Sequence, residues 1–77
     1  MTKIRIERLL RGWSQQELAV LAHVGTADVS RIETQRMKPY RGQGKRIARV
    51  LGLRPAELQE EVAMEALAET RDHHKEP

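Results

Sequence analysis

An all-α fold of four to five short helices is the class this sequence predicts, on three observations. Glycine and proline at Gly12, Gly25, Pro39, Gly42, Gly44, Gly52 and Pro55 cut the chain into segments of helical length. Inside those segments apolar residues recur at helical spacing, as in Leu18, Leu21 and Ala22, or Val29 and Ile32. No stretch alternates β-branched and polar residues convincingly enough to form a half-buried strand. Helices are therefore expected near residues 3–11, 15–22, 26–35, 43–51 and 55–71.

The first helix runs to the break at Gly12. The second has the best-marked start, "WSQQEL". Ser14 can accept from the backbone N–H of Glu17, while the Glu17 side chain reaches back to the N–H of Ser14. Trp13, just before the cap, can pack on Leu18 and so fix the angle at which the chain joins the helix. His23-Val24-Gly25 leaves no room for a long loop; a sharp corner wants one residue at positive φ, and Gly25 can cap the next helix. In the third helix each residue advances about 100° around the axis, so Val29 and Ile32 share a buried face. The opposite face carries Ala27, Ser30, Arg31 and Thr34, with Thr26 and Asp28 at its margins: short, polar side chains and one long cation. The fourth helix opens on Gly42 and Gly44, each worth about 1 kcal/mol less than Ala in a helix. The fifth takes Pro55 at its first position, with Leu58, Val62 and Ala66 on one stripe and Ala63, Met64 and Leu67 on a second.

A chain of 77 residues makes one small domain with a modest core. It has no cysteine, so neither disulfides nor thiolate metal sites support it, and a cytoplasmic setting is expected. No apolar run approaches a membrane span, and no signal-peptide core opens the chain. Charge is unevenly placed. Residues 1–54 hold twelve Lys and Arg against four Asp and Glu, net +8, while residues 55–77 hold two against seven, net −5. A basic body with an acidic tail suits a polyanion partner, though solubilising surface charge accounts for it equally well.

Leu18, Ala19, Ala22, Val24, Val29 and Ile32 have the spacing of a helix-turn-helix at about residues 15–34. With Arg8, "GWSQQELA", "VSRIE", Pro39 and "IARVLGL" added, the chain resembles the lambda-repressor-like (Cro/XRE) family of DNA-binding domains across roughly residues 3–58. The resemblance implies that the third helix enters the DNA major groove. By matching position, Thr26, Ala27, Asp28, Ser30 and Arg31 would then read bases. Arg31 suits guanine O6 and N7, and Ala27 a thymine methyl. Thr26 suits a methyl or a phosphate. Asp28 would either accept from cytosine N4 or simply favour the helix N-terminus. Phosphate contacts are implied for Gln15, Gln16, Gly25, Thr34, Arg36, Lys38, Arg41, Lys45 and Arg46. Arg8 and Glu33 match a family pair that joins the first helix to the end of the recognition helix. Gln35 and His23 stand where the family favours glycine, and Arg41 and Gly44 where it favours apolar residues; Tyr40 is expected to fill the gap at Gly44.

The division implied is a DNA-binding domain at 1–58 and an acidic extension at 59–77. That extension either dimerises through Leu58, Val62, Ala63, Met64 and Leu67 or caps the core and frays. A homodimer would read a palindromic operator on double-stranded DNA. Repression is the expected sign of regulation, set by the protein's own concentration, with no cofactor and no small-molecule ligand. The alternative is a protein-interaction module, antitoxin-like or polymerase-binding, using the acidic C-terminal helix. No metal is expected: the adjacent His73 and His74 cannot readily face one ion from a single helix. Ser14 already caps a helix, and neither a phosphate loop nor a dinucleotide fingerprint occurs, so no catalytic residues are expected.

Overall fold

The structure, a computed structural model, describes residues 1–63. Four α-helices follow one another: α1 (Lys3–Leu10), α2 (Gln15–Ala22), α3 (Thr26–Glu33) and α4 (Arg41–Leu51), with a 3₁₀ turn at Pro55–Glu57. α2 packs on α3 and α4, and α4 also packs on α1 and the 3₁₀ turn. Ile4, Leu18, Ala19, Ala22, Val29, Ile32, Ile47, Ala48, Leu51 and Leu58 form the core, and Trp13, Val24, Met37, Val50 and Leu53 close around it. Each fully buried Leu or Ile contributes about 1.5–3 kcal/mol by leaving water. Leu21, expected on the inward stripe of α2, is 47% exposed. The inward direction lies between Leu18, Ala22 and Ala19, and Leu21 falls about 100° outside it.

All four helices end by one device. A residue with positive φ turns the chain back, and the N–H that follows it bonds to a carbonyl five residues upstream. The turning residues are Gly12 (φ 72°), His23 (56°), Gln35 (61°) and Gly52 (68°). The closing bonds run from Trp13 to Arg8 (3.1 Å), Val24 to Ala19 (2.9 Å), Arg36 to Arg31 (2.8 Å) and Leu53 to Ala48 (2.9 Å). α3 therefore stops two residues before its expected end, because Gln35 takes the conformation of a glycine. At His23 the left-handed backbone carries a Cβ strain of about 1–2 kcal/mol. His23→Gly removes it and gives back part through unfolded-chain entropy. A net gain of about 0.5–1 kcal/mol follows, raising the melting temperature by roughly 2–8 °C. A thermal melt that shifts downward would contradict this.

α4 begins at Arg41, two residues before its expected start. Gln43 Oε1 accepts from the Tyr40 N–H at 3.0 Å, which supplies an N-terminal cap. Gly44 is buried, and a Cβ built there would lie 3.6 Å from Pro39 Cγ and 3.9 Å from Pro55 Cβ. Pro39, not Tyr40, thus covers the gap at Gly44; Tyr40 is 70% exposed.

The fifth helix expected at 55–71 is corrected over residues 55–63, the part the structure describes. After the 3₁₀ turn comes a further turn at 58–59, and Glu61 then bridges antiparallel to Thr2. The cause is at the other end of the sequence. The first N–H groups of α1 lack intrahelical partners; Lys3 N–H donates to Glu60 O (2.9 Å) and Ile4 N–H to Leu58 O (3.0 Å). Val62 N–H donates to Met1 O (2.9 Å). A helix would have used those carbonyls on its own residues. Leu58 is fully buried and so is not available to a dimer, and the half-buried Val62 is tied to Met1. Ala63 is exposed, while Met64, Leu67, His73 and His74 lie outside the described residues.

The strap formed by residues 55–63 should respond to pH. The Arg54 backbone N–H, the Arg54 side chain and Lys3 Nζ hold the Glu57 carboxyl down at about 2, against 4.5 ordinarily. Hydrogen bonds from the chain's terminal ammonium and from Gln35 lower Glu61 as well. Between these values the unfolded chain binds a proton that the folded chain refuses, so the stabilisation is present above about pH 4.5 and is lost as pH falls towards 2. Melting temperature should drop across that window, and Glu57→Gln should flatten the drop. Parallel curves for the two proteins would refute the assignment.

Candidate nucleic-acid interface

The corner between α2 and α3 is built from short-range bonds. Ser14 Oγ accepts from Glu17 N–H at 3.0 Å, and Glu17 Oε1 accepts from Ser14 N–H at 2.9 Å. This leaves the Gln15 and Gln16 N–H groups at the helix start without intrahelical partners. At the far end of α2, Arg46 Nε donates to Ala22 O (3.1 Å) and Nη2 to His23 O (3.4 Å). Arg46, expected on phosphate, is thus engaged in capping α2, a favourable place for a cation.

α3 is two-faced. Val29, Ile32 and Glu33 are buried; Thr26, Ala27, Arg31 and Thr34 are exposed, with Asp28 and Ser30 half-buried between them. The structure thus brings the five base-reading candidates to one side of one helix. Thr34 Oγ1 donates back to Ser30 O at 2.9 Å, so its hydroxyl already has a local partner. Asp28 accepts from Arg31 Nη1 (3.1 Å) and from Gln43 Nε2 (2.7 Å).

The other end of α3 is held from three directions. Arg8 donates to both carboxylate oxygens of Glu33 through Nε and Nη2, and through Nη1 to Trp13 O at 2.7 Å. Gln15 Nε2 donates to Glu33 Oε1 at 3.0 Å, so the amide matched to a phosphate contact instead completes this pair. The Arg8 and Glu33 side chains are 8% and 1% exposed. Thr2 Oγ1 donates to Glu33 O (3.0 Å), and Gln59 Nε2 to Ile32 O (3.2 Å) and Met37 O (2.6 Å). The last carbonyls of the helix are thereby satisfied by the strap and the chain start.

Around this frame Gln16, Gly25, Arg36, Lys38, Arg41 and Lys45 are exposed. None of these four cations pairs with a carboxylate among the described residues. Also among the described residues, no three His, Cys, Asp or Glu side chains are grouped to hold a metal, and no helix is long and apolar enough to cross a membrane.

A family model described as Helix-turn-helix matches residues 4–58. The chain belongs to the lambda-repressor-like (Cro/XRE) helix-turn-helix family. No curated protein matches it, and no solved structure does. The helix-turn-helix domain is DNA-binding and regulatory in kind. Family pattern alone does not reveal four residues of this domain that hold the helix-turn-helix: Thr2, Gln43 and Gln59, which bond α3, and Arg46, which caps α2. Each acts across at least 15 residues of sequence, Gln43 on Asp28 being the shortest reach. For Thr2, Arg46 and Gln59 the only local signal is a helix end whose carbonyls need a donor, whereas Gln43 donates to a side-chain carboxylate.

Proposed function

We propose that this chain is a sequence-specific transcriptional regulator, a small Cro-like repressor that binds a palindromic operator as a homodimer with α3 in the major groove. One observation carries the reading: α3 buries Val29 and Ile32 completely while Arg31, Ala27 and Thr26 stand exposed on its other side. That exposed side joins one long cation to short side chains, a set that can reach base edges in a groove. Arg31 is the reader of guanine, Ala27 meets a thymine methyl, and Thr26 and Ser30 supply hydroxyls. Gln16 and Gly25, near the starts of α2 and α3, and Arg36, Lys38, Arg41 and Lys45 take phosphates. They set the register on DNA without reading it. Leu58 belongs to the core, so the dimer contact falls to the segment from Ala63 onward, with Met64 and Leu67.

Selection of bound duplexes from a random pool tests this. The expected product is a two-fold site with half-site centres about 34–36 Å apart. Affinity should fall steeply with salt as counterions are released. A pool that stays unenriched at low ionic strength would sink the reading. Sedimentation that stays monomeric at every concentration, on the selected site as well as free, would remove the dimer.

A further inference from the structure

Asp28 faces the groove side of α3, where a carboxylate repels phosphate. Affinity alone would favour a neutral or cationic residue there. Its surroundings give it another task. Asp28 Oδ1 accepts from Arg31 Nη1 at 3.1 Å, and Oδ2 accepts from Gln43 Nε2 at 2.7 Å. Gln43 is itself oriented, because its Oε1 accepts from the Tyr40 backbone N–H at 3.0 Å. That bond decides which end of the amide faces α3. A relay of three hydrogen bonds therefore runs from the backbone at the start of α4, through Gln43 and Asp28, to the guanidinium of Arg31.

We propose that Asp28 is not a base reader but a positioning residue, which with Gln43 presets the Arg31 guanidinium and thereby sets how strictly one base is read. This rests on the reading of Arg31 as a contact to guanine. Asp28 is only 27% exposed against 56% for Arg31, so the anchor is the sheltered member and the reader the accessible one. A guanidinium is planar and carries five N–H donors. Holding it at Nη1 restricts the plane and leaves the other donors for a base edge. A long side chain placed before binding loses less freedom when it binds. The same carboxylate works against wrong sequences: where Arg31 finds no acceptor pair, the negative charge stays close to DNA without compensation.

The probe is the duplex selected by the wild-type protein, its variants at each base pair, and an unrelated duplex. Arg31→Ala first identifies the base pair that Arg31 reads. Asp28→Ala should then lower discrimination at that same base pair by about tenfold, leaving affinity for the unrelated duplex unchanged or raised. Gln43→Met, on a different helix and lacking the amide that donates to Asp28, should relax the same base pair by a smaller factor. In the Asp28→Ala/Arg31→Ala double variant the two effects should not add, as expected of residues acting through one contact. Circular dichroism establishes that each variant is folded.

Relaxation at a different base pair would make Asp28 a base reader and overturn the proposal. So would an equal loss on all duplexes, the mark of a merely structural role, or wild-type discrimination in both Asp28→Ala and Gln43→Met. If Arg31→Ala relaxes one position while those two variants do not, the guanine reading stands and the brace fails. If the wild type selects no duplex, the DNA reading itself fails, before any variant is made.

Discussion

Glu33→Ala should destabilise the protein by about 3–5 kcal/mol, the cost of leaving one member of a buried ion pair without its partner. Arg8 Nε and Nη2 lose both carboxylate oxygens, and only the Nη1 bond to Trp13 O remains. With the Arg8 side chain 8% exposed, water cannot replace what is lost. Small domains hold only about 5–15 kcal/mol in total, so the variant should melt roughly 12 °C or more below wild type. Below that melt its choice of DNA sequence should be unchanged, because Glu33 lies on the buried side of α3 and its carboxylate bonds Arg8 and Gln15, neither of them among the base-reading candidates. Replacing both partners by apolar residues, as in Arg8→Met with Glu33→Leu, should be far milder than either single loss, since no charge is then stranded. An unaltered melting temperature in Glu33→Ala, or a double replacement worse than both singles, would show that the pair does not hold α3 in place.

What could be read from the sequence, and what could not, divides by the reach of the interaction. Ser14 and Glu17 cap α2 within four residues, and His23 turns the corner beside Val24 and Gly25, so the helix-turn-helix was legible as a local pattern. Arg8 and Glu33 lie far apart in sequence and were legible only through the family's pattern. The start of α4 was misplaced because helix propensity counts against Gly42 and Gly44, whereas Gln43 caps Tyr40 and Pro39 packs on Gly44. The stretch after Pro55 has a genuine helical stripe, yet the carbonyls of Leu58 and Glu60 go to Ile4 and Lys3, more than 50 residues away. No local periodicity reports that competition. The site shows the same split: the exposed face of α3 followed from 3.6-residue periodicity, but the partners of Asp28, Gln15 and Arg46 did not. Those three side chains are polar and near the surface, and the family resemblance implies phosphate for two of them and, for the third, Asp28, either a base edge or its own helix N-terminus. In the folded chain their donors and acceptors meet Gln43, Glu33 and the end of α2.

Arg31→Ala should have its largest effect on selectivity rather than on folding. Its side chain is 56% exposed and its ion pair with Asp28 is a surface contact of the kind worth at most about 1 kcal/mol. A bidentate bond to guanine O6 and N7 is worth about 1–3 kcal/mol of discrimination, so affinity for the selected site should fall roughly five- to 150-fold. The loss should be confined to sequences carrying that guanine, and the base preference there should flatten. Lys45→Ala gives the contrast. Lys45 is exposed near the start of α4 and pairs with no carboxylate among the described residues. Its replacement should weaken every duplex by a similar factor and lower the salt slope by about one, with base preference intact. If Arg31→Ala instead behaved as Lys45→Ala is expected to, the guanidinium would be meeting phosphate, and the polar face of α3 would be steering the protein along DNA rather than reading it.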